Sequence, residues 1–159
     1  MLMATGLGAT QAQAAPASAS ASAKAKVLKQ LALTKNVDLD FGTIVAGASA
    51  STVVVNAAGT ATCGAGLTCS GTTTAANFKV EGSNNSVVTV SVPASVSLAN
   101  QTVGSSATMS ATFAAPATLL LTTSGSAGTP LVFGGTLNIG ASQEEGVYNG
   151  TFNVTVDYQ

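Results

Sequence analysis

Gly146-Val-Tyr-Asn-Gly-Thr-Phe-Asn-Val-Thr-Val-Asp-Tyr-Gln159 closes the chain, and its reading decides the fold. From Tyr148 onward the even positions are Tyr148, Gly150, Phe152, Val154, Val156 and Tyr158, and the odd ones Asn149, Thr151, Asn153, Thr155, Asp157 and Gln159. Successive side chains of a strand point to opposite faces, so this period of two predicts one unbroken strand, apolar on one face and polar on the other, roughly 35 Å long at about 3.3 Å per residue. Nothing after it is needed to cover it, which predicts a central place in its sheet.

Upstream, shorter runs repeat the pattern. Leu131 to Phe133 lead through Gly134-Gly135 to Leu137 and Ile139, and the loop Ala141-Ser-Gln-Glu-Glu145 is expected to turn that strand antiparallel into the terminal one. Met109, Ala111 and Phe113 alternate before Pro116; Val88, Val90 and Val92 alternate before Pro93; Val96 with Leu98, and Phe78 with Val80, make shorter pieces. Val37, Leu39 and Phe41 alternate with Asp38 and Asp40 before Gly42, and Ile44, Val45 and Thr52 to Val55 supply a further strand pair. Val, Thr, Gly and Ser dominate and helix signals are nearly absent. About seven to nine short strands with turn signals every ten residues or so predict an all-β chain, with an immunoglobulin-like β-sandwich favoured over a barrel.

Composition narrows function. The 159 residues suit one domain plus a tail. Charged residues are 7% of the chain, against about 25% in ordinary soluble domains. The surface is therefore coated with Ser, Thr, Asn and Gly, as in proteins that live packed against copies of themselves or in a secreted monomer with a neutral polar coat. A net charge of −1 without arginine argues against nucleic acid, which needs clustered cations to replace phosphate counterions. There is no histidine, and the Gly-rich segments show neither phosphate-loop nor dinucleotide spacing, so no catalytic constellation, metal site or cofactor is expected. Asp38 and Asp40 share a face, but a hard-cation site needs six or more oxygens and a glycosidase needs a cleft with a matched acid.

At the other end, residues 1–14 read as the back half of a secretory signal peptide ending in Ala12-Gln13-Ala14, with no positively charged start and nothing near the roughly 20 apolar residues of a membrane span. Residues 15–23 are an Ala/Ser leader with no large apolar group to offset its ordering entropy. Residues 24–34 form an imperfect alternating segment: Ala25, Val27, Leu31 and Leu33 lie in phase, Lys29 interrupts and Leu28 is misplaced. Residues 35–159 make the sandwich domain. Cys63 and Cys69 bracket a Gly-rich loop, which in an exported chain predicts a disulfide acting as a loop clip rather than a bolt between sheets. Closing so short a loop removes about 2 to 2.5 kcal/mol of unfolded-state entropy.

Two resemblances bear on function. The terminal stretch resembles the last strand of chaperone-usher pilus subunits, with Gly146 fourteen residues from the end and a penultimate Tyr158. The clip between Cys63 and Cys69 departs from that family, whose usual disulfide joins distant strands. Leu33-Thr-Lys-Asn-Val-Asp-Leu-Asp-Phe-Gly-Thr-Ile-Val45 and Gly150-Thr-Phe-Asn-Val-Thr-Val156 resemble a family of uncharacterised secreted bacterial domains related to fimbrial and spore-coat proteins. The first implies a subunit of a surface fimbria, exported through the periplasm and polymerised with copies of itself by strand donation, and the second an exported β-sandwich without an established activity; a non-enzymatic fimbrial subunit is the expected reading. Val27, Leu31 and Leu33, with Ala25 at the margin, are the expected donor side chains. By resemblance, Gly146, Phe152, Val154, Val156 and Tyr158 belong to the strand that flanks the acceptor groove and pairs with a periplasmic chaperone before delivery to an outer-membrane usher. The alternative is a secreted monomeric β-sandwich that binds a receptor or carbohydrate, its sheet complete within one chain.

Overall fold

Alternating Val, Thr and Ser favour extended backbone, and the computed structural model, which describes residues 15–123 and 125–159, holds strands and no helix among them. In chain order these are β1 (Ala32–Val37), β2 (Thr43–Val45), β3 (Ser51–Val55), β4 (Ala61–Cys63), β5 (Thr68–Ser70), β6 (Ala76–Glu81), β7 (Val87–Ser91), β8 (Ser95–Asn100), β9 (Thr108–Phe113), β10 (Thr118–Leu120), β11 (Thr129–Phe133), β12 (Gly135–Ile139), β13 (Tyr148–Asn149) and β14 (Thr155–Tyr158). All pairings are antiparallel. The expected signal peptide, residues 1–14, lies outside the described residues.

Two three-stranded sheets, β1-β6-β11 and β10-β7-β14, enclose one core built on Val80, Val88, Leu121, Leu131 and Phe133. A six-stranded sheet, β13-β8-β9-β12-β3-β4, and the ribbon β2-β5 enclose a second, built on Phe41, Val53, Val55, Leu137 and Ile139. Leu39 packs against both cores. The chain is thus an all-β sandwich, as the alternation predicted.

The sheets are joined because long strands pass from one to the other. Thr89 lies opposite Thr118 and Ser95 opposite Thr112, a step of six residues on each side, so β7–β8 and β9–β10 are the arms of one long hairpin in constant register. Pro93 and Pro116 interrupt its ladder, since neither has an N–H to donate. Below the break the arms join the six-stranded sheet; above it they form part of the β10-β7-β14 sheet. A space of about 240 Å³, lined by Val90, Val92, Pro93, Phe113 and Pro116 among others, opens where they splay. β11 and β12 likewise form one run divided at Gly134, whose carbonyl accepts the Ala114 N–H at 3.0 Å.

Four local expectations are corrected. The terminal stretch is not one strand, because residues 150–154 belong to no ladder: β13 pairs with β8, and β14 pairs with β7 in the other sheet. Nor is it central, since β13 and β14 are both edge strands. The loop after β12 does not fold the chain back onto β12, because the long hairpin supplies β9 as the neighbour on one side of β12 and β3 fills the other. The Cys63–Cys69 disulfide is present, but it ties β4 of the six-stranded sheet to β5 of the ribbon, so a link six residues apart in sequence does join two sheets.

Candidate functional site

The terminal segment keeps its alternation although it changes sheets. Phe152, Val154, Val156 and Tyr158 are partly buried against the first core, and Thr151, Asn153, Thr155, Asp157 and Gln159 are exposed. On one side the segment is fixed: Tyr148 lies opposite Asn100, Asn149 opposite Ala99, and Thr155 to Tyr158 opposite Ser91 to Val88. Between these two registers β7–β8 carries two more residues than the terminal segment, so the ladder cannot run through. On its other side the segment has no ladder partner among the described residues.

Gly146 opens this segment for a steric reason. Its φ is +149°, and a β-carbon there would run into the side-chain amide of Asn100. That amide is buried, donates to the Glu145 carbonyl at 3.0 Å and accepts the Thr102 N–H at 2.9 Å, so glycine lets the chain close over it.

The facing wall comes from the start of the domain. β1 is the edge of its own sheet, and beyond it Asp40 makes an isolated bridge to Thr74. Leu39 and Phe41 point inward while Asp38 and Asp40 stay exposed, so the two carboxylates do share a face. Asp38 is ion-paired with Lys35 at 2.8 Å, and Asp40 accepts the Gly42 N–H at 2.8 Å. Leu39 and Phe41 on one side and Gly150 and Phe152 on the other border an apolar space of about 40 Å³, floored by Val96, Leu98, Ala111 and Phe113. Phe152 lies 4.2 Å from Phe113, centroid to centroid. An apolar seam thus lies between the terminal segment and the stretch that follows β1, and neither β1 nor the terminal segment has a ladder partner on its second side among the described residues.

One end of the seam is latched. The Tyr158 hydroxyl donates to the Lys29 carbonyl at 2.6 Å and accepts the Ser83 N–H at 2.7 Å, while the Lys29 N–H donates to the Ser83 hydroxyl at 2.7 Å. The Lys29 ammonium also lies 3.6 Å from Glu81. The hydrogen-bonded Lys79 ammonium, with Lys29 adding to it, holds the Glu81 carboxyl below its ordinary pKa. A depressed folded-state pKa means that this pairing contributes fully at neutral pH and is lost as pH falls through the lowered value.

The expected donor residues divide. Leu31 and Leu33 pack against the core of their own chain, and Leu33 sits in β1 opposite Val80 of β6. Ala25 is exposed and Val27 is 92% exposed, both outside any strand. The sequence reading did not single out Ser83, nor did it assign Leu39 and Phe41 to a seam wall. A serine in a turn carries no signal of its own, and the Leu39-Phe41 alternation showed an inward face without showing what it faced.

Residues 31–158 match the family described as Domain of unknown function (DUF4402). The chain belongs to this family. The DUF4402 match starts at Leu31 and stops at Tyr158, so it takes in both walls of the seam and leaves out residues 15–30. No curated protein and no solved structure matches the chain significantly.

The two faces of the DUF4402 terminal segment should respond differently to charge. Val154→Asp is expected to destabilise by about 2 to 3 kcal/mol, through lost apolar contact and a carboxylate held against the core. Thr155→Asp, on the exposed face, should stay within about 0.5 kcal/mol. Urea unfolding of both variants checks this; equal losses would mean that the segment is covered on both faces.

Proposed function

We propose that this chain is a structural subunit of a bacterial surface fimbria, polymerised with copies of itself by strand donation. One observation carries the reading: the C-terminal segment presents an apolar face only partly buried, beside a backbone edge without a ladder partner among the described residues, along a seam between two sheets. An added strand would satisfy the free N–H and C=O groups and complete the burial of Phe152, Val154 and Val156 in a single step. An exposed N-terminal extension lies outside the domain, as a donor must. The disulfide suits passage through an oxidising compartment, and no described helix is long and apolar enough to cross a membrane. A periplasmic chaperone would hold the seam before assembly, and an outer-membrane usher would deliver the subunit to the surface.

The test is the assembly state of the chain beginning at residue 15, purified from an oxidising compartment. Light scattering after size exclusion, with electrophoresis in detergent before and after heating, should show oligomers that resist detergent until heated. A chain that stays monomeric at every concentration would exclude polymerisation and make a self-contained secreted binding domain the better reading.

A further inference from the structure

We infer that the strand donated is residues 17–27 of a second copy, entering the seam with its odd-numbered side chains inward. This rests on the strand-donation reading and adds to it the donor segment and its faces. From Ala17 the odd positions are Ala17, Ala19, Ala21, Ala23, Ala25 and Val27, and the even ones Ser18, Ser20, Ser22, Lys24 and Lys26. That is period two without a fault over eleven residues, more regular than the 24–34 segment, although its inward side chains are small. Pro16 precedes the run and no proline interrupts it, so every residue in it keeps an N–H for a ladder.

Four features of the structure fit this occupant. Residues 17–27 are exposed throughout and belong to no strand, so nothing in their own chain has to be given up. The free edge, residues 148–158, is also eleven residues long, so donor and acceptor can match end to end. The space beside Gly150 and Phe152, about 40 Å³, has room for a side chain of alanine size and none for an aromatic ring. Charge is complementary as well. Lys29, Lys35 and Lys79 are ion-paired, whereas Lys24 and Lys26 have no acidic partner among the described residues. The exposed Asp157 and Asp40, one on each wall, have no cation among the described residues. With the odd positions inward, Lys24 and Lys26 lie on the same outer face as those two carboxylates.

The latch selects a second copy over self-insertion. Lys29 is held by Tyr158 and Ser83 at the end of the seam, and residues 15–28 leave the domain there. To enter its own seam the leader would have to reverse direction beside that anchor. A leader arriving from another copy need not turn at all.

The experiment uses the whole chain from residue 15 in three forms: unaltered, Ala21→Asp with Ala23→Asp, and Ser20→Asp with Ser22→Asp. Light scattering reads assembly, and thermal melts of the dispersed forms confirm that the domain is intact. The inward pair should abolish detergent-resistant oligomers at concentrations where the unaltered chain assembles, and the outward pair should leave them. Assembly of the inward-pair variant would overturn the inference while leaving donation by another segment standing. Equal loss in both variants would overturn it too, since a paired strand has two distinct faces. A monomeric unaltered chain would instead remove the strand-donation reading beneath it.

Discussion

Gly134→Ala should abolish soluble folded protein or, where some folds, lower its stability by about 3 kcal/mol or more. Gly134 divides the run that leaves the β1-β6-β11 sheet as β11 and enters the six-stranded sheet as β12. Its φ is not in the left-handed region, so the requirement is one of space. A β-carbon at this position would sit inside the carbonyl oxygen of Val55, with the carbonyl carbon of Val55 only 2.7 Å away. Val55 is the last residue of β3, fully buried and paired with Gly135. Its carbonyl therefore cannot swing away without breaking the ladder that places β12. Gly104→Ala is the matching control: its φ is +87° but nothing lies within 4 Å, so only the backbone cost of about 1 kcal/mol applies. Soluble yield and thermal melts compare the two variants. A Gly134→Ala chain that melts with the Gly104→Ala control would mean that β12 does not approach β3 so closely.

The contrast between those glycines marks what sequence could reveal. Alternation is a property of each strand alone, and it placed Val88, Val90, Leu131, Phe133, Leu137 and Ile139 on inward faces, where all six are buried. It also assigned the even face of the terminal segment to the core side, where Phe152 to Tyr158 are partly buried. But a strand alternates in the same way whether it stays in one sheet or crosses to another. The breaks at Gly134, at Pro93 and Pro116, and through residues 150–154 therefore left the pattern unchanged. The prolines read as strand ends, and they are interruptions within one hairpin whose register continues beyond them.

The site was legible in its chemistry and not in its partners. Phe152, Val154, Val156 and Tyr158 were readable as an inward apolar face, whereas the facing wall at Leu39 and Phe41 depends on contacts more than a hundred residues apart in sequence. For the expected donor side chains, the larger apolar groups are the ones that pack against their own core. Leu31 and Leu33 drew the reading because they are the bulkiest in-phase residues of the N-terminal segment, and bulk is why their own core takes them.

Phe133 and Phe152 share an aromatic cluster and should differ sharply when truncated. Phe133 is fully buried, with the rings of Phe78 at 5.9 Å and of Phe113 and Phe152 each at 6.2 Å. Phe133→Ala removes a whole ring from a packed core and should cost about 3 to 5 kcal/mol, enough to unfold much of a marginally stable domain. Phe152 touches the same cluster from the seam, where part of its surface remains open. In the dispersed chain Phe152→Ala should therefore cost only about 1 to 2 kcal/mol, in proportion to the area it has withdrawn from water. The proposed strand donation would change this ranking. An incoming strand would cover the rest of the ring, so the same substitution should weaken the oligomer beyond its effect on the monomer, while Phe133→Ala has no exposed area left to lose. Urea unfolding of dispersed and assembled forms of each variant separates the two contributions. An equal penalty for Phe152→Ala in both states would show that the seam around this ring stays open when the subunits join.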